Sequence, residues 1–129
     1  MLAVLGVCGC SRARAQGSAP AASSAADPPI ACQLGALGPE ERKRHAALLQ
    51  ELGAKMADKR ETEDGFVFRL RADSNGFRDV AEWITLERRC CPFLSFELGW
   101  SAGEDSPTLR LHGRPGVKEF LAAELAGGK

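Results

Sequence analysis

Pro92 constrains the fold of this chain more than any other residue. The apolar residues before it recur with the period of a helix, those after it with the period of a strand, and a proline disfavours helical backbone in the residue that precedes it. The helix therefore ends near Cys90, and Cys91 already belongs to an extended segment. Two adjacent thiols stand at the junction and need not point the same way. Such a pair can bind one soft ion, form one disulfide with a distant cysteine, or simply pack.

The elements on either side follow from their patterns. Leu94, Phe96, Leu98 and Trp100 alternate against Ser95, Glu97, Gly99 and Ser101, as in a half-buried strand. After a loop with Gly103 and Pro107, Thr108–His112 turns Leu109 and Leu111 inward and His112 outward, which makes a hairpin with the strand before it. Upstream, Pro39 with Glu40 and Glu41 opens a helix that runs to about Ala57. Leu48, Leu49, Leu52 and Met56 form its apolar stripe, Arg42, Lys43 and Arg44 its solvated face, and His45 reads as a surface or boundary residue. Phe66, Phe68 and Leu70 alternate with Arg69 and Arg71 in a first strand. Asp73–Gly76 caps a second helix with Phe77, Val80, Ala81 and Ile84 on one face, widened by Trp83 and Leu86. Arg114-Pro115-Gly116 opens a third, with Val117, Phe120, Leu121 and Leu125 inward, closing at Gly127-Gly128. The predicted order is α-β-α-β-β-α. With a right-handed strand-helix-strand crossover, it implies a single α+β domain, a three-stranded mixed sheet with helices packed on one face.

Composition narrows the function. Lys plus Arg and Asp plus Glu balance at 17 each, so no basic footprint for nucleic acid or anionic lipid exists, and the absence of Tyr argues against a base-stacking platform. The N-terminus differs from the rest. Residues 1–7 are apolar but far short of the roughly 20 that span a bilayer, and read as the end of a secretory signal. Val7-Cys8-Gly9-Cys10-Ser11 resembles the bacterial lipobox, with Cys8 where that pattern usually carries Ala or Ser; the resemblance makes Cys10 the lipidation site. An Ala/Ser/Pro-rich stretch follows, a flexible tether with nothing large to bury. The expected organisation is a leader over residues 1–9, a tether over 10–29 and a compact domain over 30–129. The expected location is the cell envelope, lipid-anchored on the periplasmic side if two membranes are present, or the cytoplasm if the leader is no signal.

Setting aside Cys8 and Cys10, the thiols of Cys32, Cys90 and Cys91 remain. Three thiolates suit thiophilic ions such as Hg(II), Cu(I) or As(III). Zinc needs a further ligand, and no histidine stands at ligand spacing from Cys90-Cys91; His112 would have to arrive by tertiary placement. Outside a reducing compartment, Cys32 would pair with Cys90 or Cys91, closing a long loop and adding about 3–4 kcal/mol in the chain-entropy account. Redox catalysis lacks the CxxC spacing, and a nucleophilic thiol needs a base beside it. An enzyme is therefore the weaker expectation.

Ile30-Ala31-Cys32-Gln33-Leu34 and Cys90-Cys91-Pro92-Phe93, the latter followed by the alternating Phe/Leu strand, resemble a group of small bacterial proteins and domains carrying the same elements. Some members lie near mercury-resistance genes or are fused to regulators of that type. The resemblance spans about residues 30–125 and leaves the chemistry of the cysteines open; an exported, tethered chain departs from the cytosolic members and from a regulatory role. The sequence thus leads to a lipid-anchored envelope protein binding a soft ion through Cys32, Cys90 and Cys91. The alternative is a disulfide-stabilised module that contacts another envelope protein.

Overall fold

The computed structural model describes residues 26–127. The leader, Cys8, Cys10 and all but the last four residues of the tether lie outside them. The elements are a short 3-10 turn at Leu34–Ala36, then α1 (Pro39–Lys55), β1 (Met56–Glu61), β2 (Gly65–Leu70), α2 (Ser74–Cys90), β3 (Ser95–Gly99), β4 (Thr108–His112) and α3 (Val117–Gly127). No described helix is long and apolar enough to cross a membrane.

The α+β class stands, but the sheet has four strands in the order β1-β2-β4-β3 and every pairing is antiparallel. The expected three-stranded mixed sheet took β2 and β3 as neighbours across α2. They do run the same way, but β4 lies between them, paired antiparallel to both, so the strand-helix-strand unit is split. β4 takes this place because its apolar residues complete two rows across the sheet: Phe66 opposite Leu111 opposite Phe96, and Phe68 opposite Leu109 opposite Leu98. A strand flanked on both sides buries its side chains most fully, and Leu109 and Leu111 are almost wholly enclosed.

The strand missing from the sequence reading, β1, carries no alternation. Asp58, Lys59, Arg60 and Glu61 fill its outer part, and the register slips between Ala57 and Arg60, where Asp58 takes φ 44°. Bulges and charges of this kind belong to sheet edges, where they discourage pairing with another chain. The same six residues shorten α1 by two positions, since Met56 is already extended at the helix end.

One face of the sheet carries the core and the other is polar. On the polar face Arg110 donates to Asp64 at 2.9 Å and to Glu97 at 2.8 Å. His112 lies between the same two carboxylates, at 3.2 and 3.1 Å, and joins none of the described cysteines. On the apolar face the Trp83 ring of α2 meets Phe96 edge-on at 5.8 Å, and Phe120 of α3 meets Phe93 at 5.0 Å. Trp100 falls beyond β3, 42% exposed against Phe77, so the inward row of that strand ends at Leu98.

Candidate functional site

The buried stripe of α2 runs through Gly76, Val80, Trp83 and Cys90. The helical position between the last two, four residues after Trp83 and three before Cys90, is Glu87, and its side chain is only 13% exposed. On α1 the buried stripe is His45, Leu48 and Leu52, while Leu49 is 46% exposed. His45 is therefore no surface residue: it takes the position expected of an apolar side chain, because the helix packs that turn against α2. There its Nε2 meets Oε2 of Glu87, and its ring stacks at 6.5 Å from that of Trp83.

The cysteines surround this pair. Cys90 Sγ donates to the Glu87 carbonyl at 3.3 Å and lies 3.7 Å from its carboxylate. Cys91 is the helix cap: its N–H donates to the Glu87 carbonyl at 2.7 Å, and its own carbonyl accepts from Leu94 N–H at 3.1 Å across the Pro92 turn. That turn faces the Cys91 thiol toward Cys32, and the two sulfurs are 2.7 Å apart with both thiols free. Cys32 arrives on an irregular segment tied down by Gln33 N–H donating to the Cys90 carbonyl at 2.7 Å. Arg89 fastens the same end, donating to Glu41 at 2.6 Å and to the Ala36 carbonyl at 3.0 Å.

The ligand atoms fall into two groups, each within 4.8 Å: Cys32, Glu87 and Cys91, and His45, Glu87 and Cys90. The three predicted cysteines thus come to one end of α2 but divide around Glu87, with Cys32 and Cys91 on one side and Cys90 beside His45. Glu87 and His45 were not singled out as ligands by sequence. The signal was present in the 80-83-87-90 and 45-48-52 spacings, which put one polar residue on each buried stripe.

Each of the three described thiols is shifted toward its protonated form. Burial, then the Glu87 charge, pushes Cys90 up from 9.0 to about 11. Burial first, then its hydrogen bond with Cys32, raises Cys91, and partial burial raises Cys32 against the opposing effect of its bond to Cys91. A carboxylate beside buried thiols works against a thiolate nucleophile. It works in favour of a cation, which replaces the thiol protons and balances the carboxylate.

Comparison of the chain with family models, curated proteins and solved structures finds no match.

Proposed function

We propose that this protein binds a thiophilic metal ion through Cys32 and Cys91, with Cys90 and Glu87 at the same helix end, and that acylated Cys10 holds it at the cell envelope. The observation that carries the reading is the convergence of Cys32, Cys91 and the Glu87 carboxylate, whose ligand atoms all lie within 4.8 Å of one another. Two thiolates satisfy the two-coordinate ions Hg(II) and Cu(I), whereas As(III), which takes three, recruits Cys90 as well. Metal–sulfur bonds of about 2.3 Å place two sulfurs flanking one ion roughly 4 Å apart or more. Loading therefore turns Cys32 outward, which its exposed segment permits, while buried Cys91 stays in place.

The test is titration of the reduced full chain with Hg(II), Cu(I) and arsenite, read by native mass spectrometry and by protection of each cysteine from alkylation. One ion per chain, with Cys32 and Cys91 protected and with tight binding lost in Cys32→Ser and Cys91→Ser, is the expected result. An unloaded chain at stoichiometric ion rejects the reading.

The same sulfur adjacency favours a second reading, a Cys32–Cys91 disulfide that braces an interaction module of the envelope. Alkylation of protein isolated without reductant separates the two. Cys32 and Cys91 modified together belong to the ion site, and both blocked until reduction belong to the disulfide.

A further inference from the structure

Zinc lacked a histidine at ligand spacing in the sequence, and the fold supplies one. His45 comes from α1, 42 residues before Glu87, and its Nε2, a Glu87 oxygen and Cys90 Sγ lie within 4.8 Å of one another. Zinc bonds of about 2.0 Å to nitrogen or oxygen and 2.3 Å to sulfur put neighbouring donors in a tetrahedron roughly 3.3–3.7 Å apart. The Cys90 sulfur and the Glu87 carboxylate already stand 3.7 Å apart. The closer His45–Glu87 contact lengthens on loading, which the carboxylate allows by rotating, and His45 and Cys90 lie within 4.8 Å of each other.

The donor set is one imidazole, one carboxylate and one thiol, a mixture that suits borderline divalent ions rather than the softest ones. All three donors stand on regular helix, Glu87 and Cys90 on one face at a three-residue step, so the site is held by packed backbone. His45 and Glu87 keep 10% and 13% side-chain exposure, while Cys90 is almost wholly enclosed.

We infer that His45, Glu87 and Cys90 form a mixed-donor site for a borderline divalent cation of the zinc class, distinct from the Cys32–Cys91 sulfur pair. On loading, the Cys90 thiol gives up its proton, His45 binds through Nε2, and three protein ligands leave one position for water or a substrate atom. Glu87 has two oxygens and lies within reach of both ligand groups, so occupancy of one site restrains the other. The inference does not rest on the soft-ion reading, because it uses neither Cys32 nor Cys91.

The experiment uses Co(II) as the optical probe and Zn(II) as competitor, on the reduced full chain stripped of metal. Expected are the visible bands of four-coordinate Co(II) with a sulfur-to-cobalt charge-transfer band, displaced by one equivalent of Zn(II). His45→Gln, Glu87→Gln and Cys90→Ser lose them, and Cys32→Ser keeps them while losing Hg(II). Because a variant in the helix interface can fail to fold, X-ray absorption on the zinc-loaded parent chain supplies a second readout. One sulfur among nitrogen and oxygen neighbours supports the site. No Co(II) spectrum, or a zinc shell of two or more sulfurs, overturns it. Hg(II) bound at Cys32 and Cys91 without a Co(II) spectrum removes this inference alone, and a Co(II) spectrum without Hg(II) binding removes only the soft-ion reading.

Discussion

His45 Nε2 meets Glu87 Oε2 between the buried stripes of α1 and α2, inside the rim of ion pairs that Arg44, Lys55 and Glu41 make across the same two helices. Each partner satisfies a group that the fold has taken out of water, so the two are coupled energetically as well as in space. His45→Leu leaves the Glu87 carboxylate without its partner and costs about 1–3 kcal/mol. Adding Glu87→Leu to the same chain removes the orphaned group and restores much of that loss. Urea denaturation of the parent, both single variants and the double variant measures the coupling; strict additivity would show that the contact contributes nothing.

Gly65 is fixed by the opposing strand rather than by its own backbone angles. A Cβ built on it would stand 2.0 Å from the Leu111 carbonyl oxygen and 2.8 Å from His112 Cα, both backbone atoms that cannot swing away. Gly65→Ala therefore separates β2 from β4 at the point where Arg110 and His112 meet Asp64. We expect a loss of roughly 2 kcal/mol or more, in the range of severe packing defects, whereas Gly99→Ala, with nothing within 4 Å of the new atom, changes little. Thermal melts of the two variants make the comparison.

The difference between what was legible in the sequence and what was not lies in these same residues. Pro92, the β3 alternation and the Asp73 cap act locally, and the helix boundary and the strand were read from them; Asp73 does cap α2, accepting from Gly76 N–H at 2.8 Å. β1 was hidden because an edge strand owes its place to a neighbour rather than to its own pattern, and its bulge removes the period that would have marked it. β4 was seen as a strand but not as an inner one between β2 and β3, since the choice between two antiparallel partners and one parallel neighbour is made by long-range packing. At the site the sequence yielded the three cysteines but not their division. His45 and Glu87 look like surface residues by type; their spacing puts each on a buried stripe, and the packing of α1 on α2 turns them toward each other.

The raised thiols give stability a pH dependence whose sign is fixed. Below pH about 9 the Cys90 thiol is protonated in the folded and the unfolded chain, and its contribution is fully present. Between 9.0 and about 11 the unfolded chain releases the proton while the folded chain keeps it, so stability falls as pH rises through that window. Cys90→Ala loses packing at every pH but declines less steeply from pH 9 to 11 than the parent. Denaturant midpoints at a series of pH values test this, and parallel curves for the two chains would show that the Cys90 proton plays no part.

The same protons compete with a soft ion. Each thiol that binds as a thiolate releases one proton while the solution lies below its pKa, so affinity for an ion held by Cys32 and Cys91 rises about a hundredfold per pH unit near neutrality. A competition titration of Hg(II) against a ligand of known pH behaviour, run from pH 6 to 8, reads the number of protons from the slope. A slope of two matches binding by the pair, and a slope near zero would mean that neither thiol binds as an anion displaced from its proton.

Arg89 connects the site to the start of the domain. Its guanidinium donates to both Glu41 oxygens, at 2.6 and 3.2 Å, and to the Ala36 carbonyl, so it clamps the turn that follows Cys32 onto the C-terminal end of α2. Glu41 in turn accepts from the Gly38 N–H at 2.8 Å, and the Arg89 bond holds its carboxyl below the usual carboxylate range. The pair is exposed, and exposed pairs add little to global stability, under about 1 kcal/mol. Their local effect is larger, because without the clamp the Cys32 segment is tethered chiefly by the Gln33–Cys90 bond. Arg89→Met should therefore leave the denaturation midpoint almost unchanged while speeding alkylation of Cys32 and weakening Hg(II) binding by roughly tenfold, the scale of losing a group that orients a ligand. High salt should do the same in part to the parent chain, since it screens the exposed pair. Equal Hg(II) affinity in the two chains would show that Cys32 is placed by its backbone bond alone.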